Sequence, residues 1–172
     1  SALEGITEIK INVLDNLKIV DLDLELSIDH SYVQDLTIIL VSPEGDEVIL
    51  TQNLGGTGVN YTNTIFDSES QIPIQNGTPP FTGTFKPIGN LKDLYNLNSG
   101  GEWILRIIDQ YPVDIGTLKF LAFSAQARAI PLVSPPPPQH TSRSASSIPR
   151  SLACSVISSP VVPCPAITSG SS

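Results

Sequence analysis

A strict alternation of apolar and polar residues over 20–28 (VDLDLELSI) limits most strongly what this chain can fold into. Successive side chains of a β-strand point to opposite faces, so a period of two predicts a half-buried strand. Residues 36–41 (LTIILV) are almost continuously apolar and rich in β-branched side chains, as is typical of a central strand. Helical spacing is found only over Leu91–Leu97, which is enough for one or two turns. We therefore expect an all-β fold.

Turn signals divide the chain into short strands. Ser42-Pro-Glu-Gly45 is a turn sequence in which proline and glycine meet the backbone requirements, so residues 35–51 are predicted to form a hairpin. We expect a second hairpin in which Trp103–Asp109 and Thr117–Ala125 pair across a connection at 110–116. About eight short strands separated by Gly, Pro and Asn turns favour an all-β sandwich or a jelly roll.

The composition changes abruptly at residue 130. All 17 acidic residues and every aromatic residue precede that point, whereas nine of the 15 prolines and both cysteines, Cys154 and Cys164, follow it. A segment rich in Pro and Ser without aromatic residues buries too little apolar surface to offset its conformational entropy. We therefore predict a folded domain at 1–130 and a disordered Pro/Ser-rich tail at 131–172.

Charge and hydropathy exclude two classes of partner. A net charge of −8 without a basic stripe argues against a nucleic-acid-binding surface, which needs cations to displace counterions. No apolar run reaches the roughly 18 residues of a membrane-spanning helix. The first residues, Ser-Ala-Leu-Glu-Gly, have neither the basic nor the apolar region of a signal peptide. We interpret the chain as a mature or excised fragment.

The sequence offers no set of residues for nucleophilic catalysis. A serine-protease triad needs a serine, a histidine and a carboxylate, yet the two histidines are His30, at a strand end, and His140, in the tail. No Gly-x-Ser-x-Gly element is present. We therefore expect a non-catalytic chain, in which His30 has a structural, hydrogen-bonded role and Trp103 is a core residue.

Four aspartates at predicted strand ends and turns form the candidate metal site. They are Asp35, Asp67, Asp109 and Asp114. Carboxylates from several loops suit Ca²⁺, which takes six to eight oxygen ligands. The alternative is that each carboxylate caps its own turn by accepting backbone N–H bonds. Both interpretations are open at this point, and no linear calcium-loop motif is present.

Five segments, in order and in register, carry a family resemblance. They are residues 28–45 (IDHSYVQDLTIILVSPEG), 64–67 (TIFD), 80–91 (PFTGTFKPIGNL), 100–109 (GGEWILRIID) and 114–118 (DIGTL). Over roughly 10–127 the chain resembles the P domain (P/Homo B domain) of kexin- and furin-like subtilisin proteases, a domain also present in bacterial secreted proteases. The tail is not part of this resemblance.

The resemblance implies a jelly-roll accessory domain of a secreted subtilisin-like serine endopeptidase. It implies a subtilisin-like catalytic domain as partner, in cis or in trans, and it adds support for Ca²⁺. The alternatives are a stand-alone extracellular binding or adhesion module and a truncated domain without function. Exposed aromatic residues on one sheet face would favour the binding module, whereas a flat apolar patch without its partner would favour the protease accessory domain.

Overall fold

The computed structural model describes residues 5–111 and 116–128, which form eight β-strands and three short 3₁₀ helices. The strands are β1 (Gly5–Val13), β2 (Lys18–Asp29), β3 (Leu36–Val41), β4 (Glu47–Gln52), β5 (Tyr61–Asp67), β6 (Phe81–Phe85), β7 (Gly101–Asp109) and β8 (Thr117–Arg128). The 3₁₀ helices are Val33–Asp35, Ile74–Asn76 and Leu91–Leu94. The last of these lies within Leu91–Leu97, where one or two helical turns were predicted.

The strands form two four-stranded sheets. Sheet A has the order β1-β7-β3-β4, and sheet B has the order β6-β5-β2-β8. Neighbouring strands are antiparallel except for β5 and β6, which pair in parallel. The prediction of an all-β sandwich of about eight strands is confirmed.

The first predicted hairpin is confirmed and the second is wrong. β3 pairs with β4 around the turn at 42–46, where the Ser42 hydroxyl oxygen accepts the Asp46 N–H at 3.0 Å and Gly45 has a φ of +95°. β7 and β8, however, lie in different sheets, with β7 between β1 and β3 and β8 beside β2. Alternation in Trp103–Asp109 and Thr117–Ala125 indicates one buried face for each strand, but it carries no information about which strand is the partner.

The core lies between the inner faces of the two sheets. Trp103 of β7 is fully buried, packs against Phe123 of β8 with ring centroids 4.9 Å apart, and donates its indole N–H to the Ser99 carbonyl at 2.8 Å. All six residues of β3 are buried, in agreement with the prediction of a central strand. The sequence therefore located both Trp103 and β3 correctly.

No helix within the described residues is long and apolar enough to cross a membrane. The predicted tail at 131–172, with His140, Cys154 and Cys164, lies outside the described residues.

Candidate functional site

Of the four aspartates that were predicted to share a metal site, the structure places Asp35 beside Asp109 and Asp67 in the other sheet. Asp35 directly precedes β3, and its carbonyl accepts the Gln110 N–H at 3.0 Å, so it lies beside the end of β7 at Asp109. Asp67 ends β5 in the other sheet and pairs with Asp23 of β2. Asp114 lies outside the described residues.

The rise per residue along β2 gives the approximate distance between Asp67 and the end of the sandwich that carries Asp35 and Asp109. Asp29, at the end of β2, precedes His30, whose side chain contacts Asp109. Six residues of strand separate Asp29 from Asp23, or roughly 20 Å at about 3.3 Å per residue. Asp67, which pairs with Asp23, is therefore remote from the end of the sandwich that carries Asp35 and Asp109.

Two of the four aspartates make the turn-capping bonds of the alternative interpretation. Asp67 Oδ1 accepts the Glu69 N–H at 2.6 Å, and Asp109 Oδ1 accepts the Tyr111 N–H at 3.1 Å. Among residues 5–111 and 116–128, no group of three or more His, Cys, Asp or Glu side chains is placed to hold a metal ion. Calcium binding stays a prediction, and its remaining basis is the Asp35–Asp109 end of the sandwich.

His30 fixes the geometry at that end. Its Nδ1 accepts the Tyr32 N–H at 3.1 Å, and its Nε2 lies 3.4 Å from Asp109 Oδ2. Because Nδ1 is an acceptor, the proton of the neutral ring is on Nε2 and is directed at the Asp109 carboxylate. His30 is buried and makes the hydrogen bonds expected of a structural histidine.

A cluster of carboxylates occupies the outer face of sheet B. Asp21 and Asp23 project from β2, Asp67 pairs with Asp23 from β5, and the Tyr95 hydroxyl donates to Asp21 Oδ1 at 2.9 Å. Glu69 adjoins this cluster, since its carboxylate oxygens are 3.4 Å from the Tyr95 hydroxyl. The polar face of β2 is therefore an acidic patch in which carboxylates interact.

Burial and neighbouring like charges both raise the pKa of the Asp23 carboxyl group. Desolvation, followed by repulsion from Asp21, Asp67 and Glu69, raises the pKa of Asp23 to about 6. Its Oδ1 atom is buried and has no hydrogen-bond partner among the described residues. Burial and the hydrogen bond to Asp21 raise the pKa of the Tyr95 hydroxyl. This face is therefore electrostatically strained at neutral pH.

The outer face of sheet A is different in character, because it carries isoleucines. Trp103, Leu105 and Ile107 of β7 point into the core, so Ile104 and Ile108 point outward. Ile108 lies opposite Ile6 of β1, which is 56% exposed. Ile39 of β3 and Ile49 of β4 pair with each other on the same face. These residues, of which Ile6 is exposed, Ile49, Ile104 and Ile108 are partly exposed and Ile39 is buried, lie on the outer side of all four strands, and we call this surface the isoleucine face.

Ion pairs neutralise the charges of the isoleucine face. Arg106, between Ile104 and Ile108, donates to Glu8 of β1 at 2.8 Å and to Glu47 of β4 at 2.6 Å. These hydrogen bonds, Glu8 first, raise the pKa of Arg106. Lys10 pairs with Glu102 at 2.9 Å. The cations of this face are therefore already matched, which lowers the cost of covering the face with a partner.

Sequence reasoning missed both faces as sites. Neither could be located without knowing the strand order, because each assembles residues from two to four strands that are far apart in the chain. The alternation in β1 and β7 does place Ile6 and Ile108 on one side of their own strands. Their pairing, however, depends on β1 lying beside β7.

Comparisons with known proteins were made on the sequence and on the fold. A family model described as the proprotein convertase P-domain matches residues 19–123. A crystal structure of a serine protease of Aeromonas sobria is similar at 22% identity and a TM-score of 0.39, over 72% of this chain and 18% of that chain. A complex of the Aeromonas sobria serine protease (ASP) with the chaperone ORF2 is similar at 22% identity and a TM-score of 0.39, over 70% and 18%. The chain thus spans less than a fifth of those proteins. No curated protein sequence matches it.

Proposed function

This chain belongs to the proprotein convertase P-domain family, and from that premise we propose that it is a non-catalytic accessory domain of a secreted subtilisin-like serine endopeptidase. In this proposal it packs against the catalytic domain and stabilises it. The catalytic domain is carried either by the same polypeptide or by a separate one. The whole protein is extracellular in this proposal, as expected for a secreted protease.

The observation that carries the proposal is the isoleucine face. A soluble domain rarely exposes a contiguous apolar patch unless the patch contacts a partner. Ile6, Ile104 and Ile108 supply apolar area, and Arg106, which lies between Ile104 and Ile108, is paired with Glu8 and Glu47, so it adds no unmatched cation to the face.

The alternative, a stand-alone binding or adhesion module, has less support. That alternative expects several exposed aromatic residues on one sheet face. Among the described residues, Tyr111 and Phe120 are the aromatic side chains with large exposure. Tyr111 follows the end of β7 and Phe120 lies on β8 of the other sheet, so they do not form a shared stacking surface.

The test mixes this chain with a subtilisin-like catalytic domain encoded in the same genome. Residual peptidase activity is followed after heating, and the chain is expected to lengthen the half-life of that activity. Ile108→Asp is expected to remove this protection because it places a charge in the isoleucine face. Ile65→Asp is the matched control, since Ile65 is also half-buried but lies on the outer face of sheet B.

Two outcomes contradict the proposal. One is a wild-type chain without effect on the half-life, and the other is equal loss of protection from Ile65→Asp and Ile108→Asp. The chain alone is expected not to hydrolyse peptide or ester substrates. Hydrolysis that a serine-directed inhibitor abolishes would overturn the non-catalytic assignment.

A further inference from the structure

A cavity of about 330 Å³ lies between the sheets on the side where β1 and β8 are the edge strands. Its walls are largely aliphatic, and they include Ile9, Ile28, Leu36, Ile107 and Leu118. Its volume falls in the range of about 300–1,000 Å³ that is typical of ligand sites. The polar part of the lining comprises the His30–Asp109 pair together with Thr7, Glu8, Lys10 and Thr117. Of the two carboxylates in the lining, Glu8 is paired with Arg106 and Asp109 with the His30 imidazole.

The opposite side of the sandwich is covered by chain, whereas this side is not covered by any described residue. On the opposite side, the Ile88 and Gly89 N–H groups donate to the Leu50 and Ile49 carbonyls at 3.1 and 2.7 Å and so cover the edge of β4. Within the described residues, β1 pairs with β7 alone and β8 with β2 alone. Within this part of the chain, each of the two strands therefore has one edge without a paired strand.

The carboxylate of Asp109 is largely buried and has no lysine or arginine within ion-pair range among the described residues. Its side chain is 13% exposed, and the group in ion-pair range is the His30 imidazole. Because Nδ1 of His30 accepts the Tyr32 N–H, the ring can offer Asp109 one hydrogen-bond donor, the N–H at Nε2. Buried charges are normally paired, so a cation at this position would be stabilised.

The neighbouring cations are engaged elsewhere. Lys10 lines the cavity, but its ammonium group pairs with Glu102 at 2.9 Å. Lys119, two residues beyond the cavity-lining Thr117, pairs with Asp29 at 3.3 Å. The sequences of residues 1–4 and 112–115, which adjoin the lining in the chain, contain no lysine or arginine. A cation for Asp109 must therefore come from a more distant source.

We propose that this cavity binds a lysine or arginine side chain of a partner polypeptide. The aliphatic stem packs against Ile9, Ile28 and Leu118, and the cationic head meets the Asp109 carboxylate. The free edges of β1 and β8 offer backbone groups to the extended segment that carries this side chain. The net charge of −8 favours approach of a basic segment. This inference depends on the cavity alone and holds whether or not the partner is a protease.

The experiment follows the ring signals of His30 by ¹H–¹³C NMR during titration of the full chain. The probes are a capped pentapeptide with a central lysine, the same peptide with norleucine, and n-butylammonium. The lysine peptide is expected to shift the His30 signals saturably. The norleucine peptide is expected to bind at least about tenfold more weakly, because hydrogen bonds to charged groups are the stronger ones.

Two variants separate the cavity from general charge effects. Asp109→Asn is expected to weaken binding of the lysine peptide at least about tenfold, because it removes the charge of the proposed acceptor. Asp67→Asn is the matched control, since Asp67 also ends a strand and accepts the N–H two residues later, but in the other sheet. Should circular dichroism show Asp109→Asn unfolded, Thr117→Leu replaces it, since it fills the cavity from β8 and is expected to abolish binding.

Four results from the peptide titrations and the protein variants would overturn the proposal. The first is equal binding of the lysine and norleucine peptides, and the second is a loss of lysine-peptide binding in Asp67→Asn as large as that in Asp109→Asn. The third is an absence of His30 shifts with every probe, and the fourth is retained binding of the lysine peptide in Asp109→Asn or, where it is used instead, in Thr117→Leu. Binding of n-butylammonium as tight as that of the lysine peptide would also overturn it, because the ligand would then be a small amine.

Discussion

Replacing Asp23 with asparagine is expected to stabilise the domain at neutral pH. Asp23 shares the outer face of sheet B with Asp21, Asp67 and Glu69, and burial with their repulsion raises its pKa from 3.8 to about 6. The folded state therefore binds a proton at Asp23 more tightly than the unfolded state does. The contribution of Asp23 to stability is greatest below pH 3.8 and is lost as the pH rises through about 6.

The size of the effect follows from the two pKa values. At about 1.4 kcal/mol per pKa unit, a rise from 3.8 to about 6 corresponds to an upper limit of about 3 kcal/mol. Because Asp23 is partly solvated and screened, about 1 kcal/mol is a more realistic expectation. For a domain of this size, 1 kcal/mol corresponds to a rise in Tm of about 4 °C.

The assay is thermal unfolding followed by circular dichroism at several values of pH. The quantity compared is the Tm of Asp23→Asn minus that of the wild type. Groups that titrate alike in both proteins contribute equally to the two Tm values, so their effects cancel in this difference. This difference is expected to be about +4 °C at pH 7 and close to zero near pH 3.5. Glu25→Gln is the control, because Glu25 lies on the same face of β2 but opposite Ile65 and Ala122. A difference that is equal at both pH values, or negative at pH 7, would refute the reasoning.

Three further predictions concern packing, a buried hydrogen bond and calcium. Gly116→Ala is expected to destabilise the domain by about 1–3 kcal/mol in urea unfolding, because a Cβ there would lie 2.6 Å from His30 Cδ2. An unchanged urea concentration at the midpoint of unfolding would contradict this prediction. Thr64→Val should cost about 1–3 kcal/mol in the same assay, because the Thr64 hydroxyl donates to the buried Phe81 carbonyl, and Thr62→Val, on the exposed face of β5, should cost little. Millimolar calcium is expected to raise the Tm relative to chelator, since a ligand that binds only the native state stabilises it; an equal Tm in both conditions would count against a calcium site.

The sequence determined the fold class because the periodicity of a strand is local. Alternation in β2, the apolar run of β3 and the turn at Ser42–Gly45 each depend on neighbouring residues alone, and all three were located correctly. The burial of Trp103 follows from the same local pattern. Membership of the P-domain family was also accessible from the sequence, because its motifs occur in order along one chain.

Tertiary structure alone decided which strands meet, because alternation specifies a buried face but not a partner. For this reason the predicted hairpin of β7 and β8 was wrong, and aspartates predicted to lie together are divided between sheets, with Asp67 remote from Asp109. The same strand order brings Ile6 beside Ile108 and places an acidic cluster around Asp23. Local sequence patterns thus determined where strands form and which face of each strand is buried. Long-range strand pairing determined which residues meet on the surfaces through which this domain can act.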